Sequence, residues 1–448
     1  MPSFITYNFA LITSSSLLAP ELTLTRLALP IYGHDSMAII LFEDDRVPQL
    51  YPVTIGRPAM LISCGSYRLV DLMAMLGQSL YLCVRPHLQA LLAADGWQVN
   101  LQATPARQLV LFVNARLVPS TATLNKVREV LERGEPMIAR HDGVPLLALV
   151  RNDRPLPAIP SGPQDWNFFL DACQLPNVDL ELPLFHYPHD VVKHNLSTFA
   201  DNLDLRIKLG EYREIADGVF AAEGAKLGQY VVTDTSIGPI VLETKASVGH
   251  YTLVRGPAWL GAGARVIEHA AIKDCVSIGH TTKIGGEVEA AVIEPYTNKQ
   301  HHGFLGHSYL GSWVNLGAGT CNSDLKNTYG QVNMEYHGQK VNTGMQFVGC
   351  MMGDYAKTAI NTGIFTGKTI GACSMVYGFV TTNVPSFANY ARLFGQVTET
   401  PVEVLVATQA RMFARRNVQQ RPCDVQLLYD MYSLTANERQ MAGEPLML

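Results

Sequence analysis

Residues 298–326 hold the densest run of groups able to do chemistry. Asn298-Lys299-Gln300-His301-His302 leads into Gly303-Phe304-Leu305-Gly306-His307-Ser308-Tyr309-Leu310-Gly311. Val314-Asn315-Leu316-Gly317-Ala318-Gly319-Thr320-Cys321-Asn322-Ser323-Asp324-Leu325-Lys326 follows. An imidazole titrates near neutral pH, so His307 suits general-base work such as taking a proton from an attacking amine. His301, His302 and His307 also invite a metal reading, but no carboxylate or cysteine ligand pattern accompanies them. Asn315 and Asn322 have the plainer use of tying down turns through side-chain hydrogen bonds.

These residues need a rigid support, and the flanking sequence supplies one. Leu242, Val248, Val254, Leu260, Val266, Ile272, Ile278 and Ile284 recur every six residues. Four places after each stands Ala246, Thr252, Ala258, Ala264, Ala270, Val276, Thr282 and Val288, all small or β-branched. Helices repeat near 3.6 and strands near 2, so neither gives this period. A hexad predicts a parallel β-helix in which each six makes one side of a triangular coil. The aliphatic points inward, and Gly249, Gly261, Gly279 and Gly285 are expected where the backbone turns. His250 and His280 fall on what reads as a solvent-facing turn, and Cys321, Cys350 and Cys373 read as small interior residues.

The frame returns at Leu310 and Leu316, then at Met352, Thr358, Ile364, Ile370 and Val376, with Ala356, Thr362 and Ser374 as small partners. It breaks over 290–309 and 317–350. Insertions in a solenoid emerge as loops, and loops on rigid scaffolds commonly carry function.

The 448 residues carry a net charge of −5, with 16% charged and 48% hydrophobic, which describes a folded chain of two or three domains. No basic stripe points to nucleic acid or an anionic membrane. Eight cysteines without a CxxC or a tight framework read as reduced thiols in a cytoplasm. Residues 1–36 fit neither a signal peptide nor a membrane span. They are expected to be poorly ordered, with Met37 as an alternative start. Residues 37–185 alternate strands (38–42, 80–84, 109–113, 144–150) with helices (67–76, 86–94, 121–133). That pattern predicts a Rossmann-like α/β domain with a mostly parallel sheet. A Pro-rich stretch from Pro155 to Pro163, a linker helix within 186–216, coils over 217–385 and a helical extension over 386–448 complete the outline.

From 303 to 329 the sequence resembles the acetyltransferase half of the bifunctional N-acetylglucosamine-1-phosphate uridyltransferase/glucosamine-1-phosphate acetyltransferases. That family has a His-x-x-Tyr-Leu-Gly phrase, then Val-Asn-Ile-Gly-Ala-Gly-Thr and a nearby Asn. Here His307-Ser308-Tyr309-Leu310-Gly311 is one residue shorter, and Val314 to Thr320 and Asn322 follow. It looks closer still to the divergent branch of sugar nucleotidyltransferases with Gly-Phe-Leu-Gly-x-Ser and Asn-Ser-Asp-Leu-Lys-Asn-x-Tyr phrases, here 303–308 and 322–329. The resemblance implies a left-handed parallel β-helix, a homotrimer with the acetyl site between neighbouring prisms, and acetyl-CoA as donor. It implies His307 as base, and Tyr309, Asn322, Lys326 and Lys299 as holders of an amino-sugar 1-phosphate. Ala359, Asn361, Thr362 and Gly378 fall where the family contacts CoA.

The first domain departs from the family, whose Gly-rich phosphate loop is replaced by Glu43-Asp44-Asp45-Arg46, as in the divergent branch. Asn114-Ala115 stands where the family has Gly-Asp, and Asn is a poorer Mg²⁺ ligand than a carboxylate. Nucleotidyl transfer from UTP then rests on Asp44, Arg46 and Arg57. Two rival readings are a nucleotidyltransferase with a trimerising coil and a non-catalytic scaffold that binds nucleotide sugars.

Overall fold

The computed structural model describes residues 37–441 apart from 102, 106, 154 and 155; the expectation for 1–36 lies outside them. Met37–Phe42 (β1) is apolar throughout and is buried on both faces. Ser79–Cys83 (β2) and Leu109–Asn114 (β3) flank it in parallel. Met137–His141 (β4) and Val144–Arg151 (β5) then form a hairpin, and β5 runs antiparallel to both β3 and β4. With Asn177–Val178 (β6) the order is β2-β1-β3-β5-β4-β6. The sheet is therefore mixed rather than mostly parallel. The cause is local, because Asp142-Gly143 takes positive φ at both positions (48° and 76°) and turns the chain straight back.

Leu69–Ala74 (α1), Pro86–Ala94 (α2) and Thr121–Arg133 (α3) form where apolar spacing predicts helices, and Ser120 caps α3 by accepting from the Thr123 N–H at 3.0 Å. Trp166–Ala172 (α4) lies over the sheet, with Trp166 stacked 4.4 Å from Phe42. Asp190–Leu209 (α5) leads out of the domain and sets Phe199 and Leu203 against Val241 of the coils.

Arg213–Ala216 (β7) pairs antiparallel with Val219–Ala221 (β8), which opens a parallel β-helix. Ile240 pairs with Ala258 and Ala258 with Val276, so a regular coil takes 18 residues, three hexads. All eight hexad aliphatics from Leu242 to Ile284 are buried. Lys245, Gly263, Thr281, Tyr296, Trp313, Tyr355 and Cys373 have positive φ, one at the same corner of each coil. The hexad glycines serve a different purpose from the one expected. A Cβ on Gly249 would lie 2.5 Å from the Glu268 nitrogen, so close approach of the next coil selects glycine there.

Only one of the two expected loops leaves the prism. Across 290–309 the coil merely shortens, with Ile278 pairing with Ile293 and Val288 with Leu305. The true excursion runs from Ser323 to Gly349, because Leu310 pairs with Met352 and Asn322 with Ile364. It carries a hairpin, Asn333–Tyr336 with Gln339–Asn342, whose Tyr336 hydroxyl meets His189 Nδ1 at 2.8 Å. On one face the far end of the coil closes on an antiparallel strand, Gln396–Glu399 against Ala388–Ala391, which covers the last parallel strand of that face.

Val402–Ala414 (α6), Pro422–Leu434 (α7) and Ala436–Met441 (α8) pack beside the coils. Phe413 stacks 4.6 Å from Trp313, and Arg421 reaches Asp95 at 2.7 Å. One apolar cluster thus joins the first domain, the outer face of the coils and the helical extension. Among the described residues no helix is long and apolar enough to cross a membrane.

Candidate functional site

His307 occupies a corner of the prism with φ 45°, and its N–H donates to the Glu289 carbonyl at 3.0 Å. Its Nδ1 lies 2.9 Å from Asp324 Oδ2, and the ring stacks 5.2 Å from Phe347. The imidazole keeps 13% of its surface exposed. Gly306 before it is clamped by Asn322, whose Oδ1 accepts from the Gly306 N–H at 2.9 Å and whose Nδ2 donates to its carbonyl at 3.0 Å. A Cβ on Gly306 would lie 2.3 Å from Asp324 Oδ2, so glycine there is what lets the carboxylate approach. The backbone N–H groups of 306 and 307 are both used in these contacts, so neither serves as a donor to a developing oxyanion.

The other residues expected around His307 scatter. Asn322 is buried on an interior rung in register with Ile364. Lys299 pairs in register with Ile284 and lies inside the prism, where its Nζ donates to the carbonyls of Gly285, His301 and Gly303 at 2.7, 3.1 and 2.7 Å. Burial brings its pKa down to about 8. Tyr309 leaves on a different face from His307, because the corner at 307 turns the chain between them. It is fully buried and donates to Glu294 Oε1 at 3.1 Å. All three side chains are engaged by the protein itself. Lys326 is half-buried at the start of the excursion, and its Nζ donates to the Gln331 carbonyl at 3.1 Å.

Of the residues expected to meet CoA, Ala359 and Gly378 are half-buried and Asn361 is exposed. Asn361 and Gly378 carry positive φ at a corner. Thr362 instead points inward and donates to the Ala359 carbonyl at 3.0 Å. Cys321, read as interior, is exposed, while Cys350 and Cys373 are buried. His250 is exposed, but His280, expected at the surface, is buried with its ring edge-on to Tyr296.

In the first domain the nucleotide candidates are occupied by the protein itself. Asp44 Oδ1 and Oδ2 accept from Arg116 Nε and Nη2 at 2.8 and 2.6 Å, and Asn114 Nδ2 donates to the same carboxylate at 2.9 Å. A divalent ion does not fit this arrangement. Both carboxylate oxygens face a guanidinium, and Asn114 turns its NH₂ group rather than its oxygen to the place a metal would take. Arg57 is buried between Glu294, at 3.0 Å, and Asp354, and it also donates to Ser312 Oγ at 2.8 Å. Burial opposes its charge, but the two carboxylates outweigh that and hold it protonated. Arg46 is half-buried, and its backbone N–H donates to Asp44 Oδ1 at 3.2 Å.

The sequence reading did not assign roles to Asp324, Phe347, Arg116, Glu294 or Asp354. Asp324 lay within the quoted phrase. Phe347 and Asp354 are brought in only by the return of the excursion, which no local pattern announces.

Residues 39–208 match the family model described as sugar nucleotidyl transferase. A bifunctional sugar-1-phosphate nucleotidylyltransferase/acetyltransferase of Sulfurisphaera tokodaii is 27% identical over 142 residues, 31% of this chain and 35% of that one. The bifunctional protein GlmU of Acidithiobacillus ferrooxidans is 40% identical over 83 residues, 18% of each chain. The matches therefore span about a third or less of these relatives' length. Among solved structures, the UDP-N-acetylglucosamine acyltransferase of Francisella novicida aligns over 52% of this chain and 81% of its own, at 16% identity and a TM-score of 0.22. The chain thus sets a unit that matches the sugar nucleotidyl transferase family model ahead of a hexad-repeat parallel β-helix, and over part of its length it is similar to bifunctional sugar-1-phosphate nucleotidylyltransferase/acetyltransferases.

Proposed function

We propose that this protein transfers an acetyl group from acetyl-CoA to the amine of an amino-sugar 1-phosphate, with His307 as general base. One observation carries the reading. His307 stands at the corner beside which the chain leaves the prism, partly exposed, with Nδ1 engaged by Asp324. The nitrogen of the amine attacks the thioester carbonyl, a C–N bond forms and the C–S bond breaks. His307 takes the proton the amine sheds and can return it to the departing thiolate.

Lys326, at the start of the excursion, is the remaining cationic candidate for the sugar phosphate. Ala359, Asn361 and Gly378 offer surface for the CoA arm, and neighbouring prisms of a homotrimer would close the site. The eight cysteines form no disulfide among the described residues, which fits work in a reducing cytoplasm.

A second reading, nucleotidyl transfer from UTP by the first domain, is favoured by the match over 39–208. Of its three candidates, Asp44 and Arg57 are held in internal ion pairs and Arg46 remains.

Thiol release from acetyl-CoA, measured with glucosamine 1-phosphate and related amino-sugar phosphates, tests the main reading. His307→Ala is expected to lose about 10²–10⁴-fold in turnover. Turnover at the wild-type level in that variant would remove His307 from the mechanism. Binding of sugar phosphates by the wild type without turnover would favour the scaffold instead.

A further inference from the structure

We infer that the excursion from Ser323 to Gly349 is the positioning element for His307, with Asp324 setting its tautomer and Phe347 its ring plane. The inference rests on the proposed role of His307, but its main readout does not depend on activity.

The two groups that touch the imidazole come from opposite ends of the same excursion. Asp324 is its second residue and Phe347 lies two residues before its end. Leu325 and Phe347 pair at its base, so the two contacts are held together. The Val348 N–H donates to the Asp324 carbonyl at 2.8 Å, and the Gly349 N–H donates to the His307 carbonyl at 2.9 Å. Asp324 is itself largely buried, with 14% of its side chain exposed. Its carboxylate accepts, so Nδ1 carries the hydrogen, and in the neutral imidazole Nε2 then keeps its lone pair. That is the form a general base needs. Phe347 lies nearly parallel to the imidazole, at 24°, and limits rotation about the ring's own bond.

The far end of the excursion is anchored away from the site. Tyr336 stacks 5.3 Å from Tyr187 and 5.8 Å from His189, beside α5. The element that orients the imidazole is therefore fixed at both ends, once to the prism and once to the start of α5.

Asp324→Asn keeps the shape but can offer an NH₂ group to Nδ1, which favours the tautomer with hydrogen on Nε2. Long-range ¹H–¹⁵N spectra of the full chain labelled at histidine, assigned with His307→Ala, read that change directly. The wild type is expected to show the Nδ1–H form at neutral pH, and Asp324→Asn the Nε2–H form. In the acetyl-transfer assay Asp324→Asn is expected to lower kcat by about 10²–10⁴-fold, the scale seen when a histidine is held in the wrong tautomer, with KM changed by less than about threefold. Phe347→Ala is expected to keep the Nδ1–H form while lowering kcat by about tenfold, as a loosened ring would. A wild-type Nε2–H tautomer, or a tautomer unmoved in Asp324→Asn, overturns the inference even if His307 proves essential. Should the wild type show the expected tautomer yet transfer no acetyl group, the functional reading fails and the positioning role stands. Near-ultraviolet and far-ultraviolet circular dichroism of each variant separates loss of positioning from loss of the fold.

Discussion

His307 and Lys299 lie eight residues apart and meet opposite fates, because a coil offers an interior and a corner within a few steps. His307 falls on a corner and remains reachable. Lys299 falls on an inward rung and spends its charge on three carbonyls. Its pKa of about 8 lies below the ordinary lysine value. Between about pH 8 and about pH 10 the unfolded chain therefore binds more protons than the folded one, and stability rises with pH across that window. Lys299→Met removes this dependence. The stability of the wild type relative to Lys299→Met, from urea unfolding at a series of pH values, is expected to rise by up to about 3 kcal/mol over the window. A difference independent of pH would mean that Lys299 is not buried as a cation. The roles of Lys299 and Asn322 were illegible in sequence because a polar residue in a hexad frame reads as functional until the register shows that it faces inward. Tyr309 faces the other way, and is buried on the outer face of the coils against the first domain.

The elements themselves were largely legible. The strands at 38–42, 80–84 and 109–113 and the helices at 86–94 and 121–133 follow from apolar spacing and a Ser cap, and they form within a residue or so of the expected bounds. The hexads from Leu242 to Ile284 set the prism, since only a period of six brings every aliphatic inward. Ile272 is fully buried between Val254 and Val288 on successive rungs. Ile272→Ala is expected to cost about 2–5 kcal/mol, read as a lower urea midpoint. An unchanged midpoint would contradict the stacked interior. The strand at 144–150 forms as expected, but its partner at 137–141 and helix α4 have short signals: an Asp-Gly pair, and a seven-residue helix after a Pro-rich stretch. The excursion was placed too broadly, because 317–322 still pairs with the coil that follows.

At the scale of the whole molecule, the first domain is built into the coils rather than hung from them. Arg57, Glu294 and Asp354 lie together at the junction, and Ser63 donates its N–H and hydroxyl to Glu294, each at 3.0 Å. Breaking such a buried pair leaves an uncompensated charge, so the two units are held in one arrangement. Arg57, expected to face a nucleotide, is spent instead on this junction. No sequence pattern could show that, because its partners lie more than 200 residues away. The excursion reaches separately from His307 to Tyr187 and His189 at the start of α5. Placement of the acetyl donor against that imidazole tests the account most directly. In a crystal structure with acetyl-CoA, the thioester is expected beside Nε2, leaving room for an amine within hydrogen-bond reach of it, about 2.6–3.2 Å. A thioester bound away from His307, or an Nε2 covered by protein in the assembled molecule, would contradict the account.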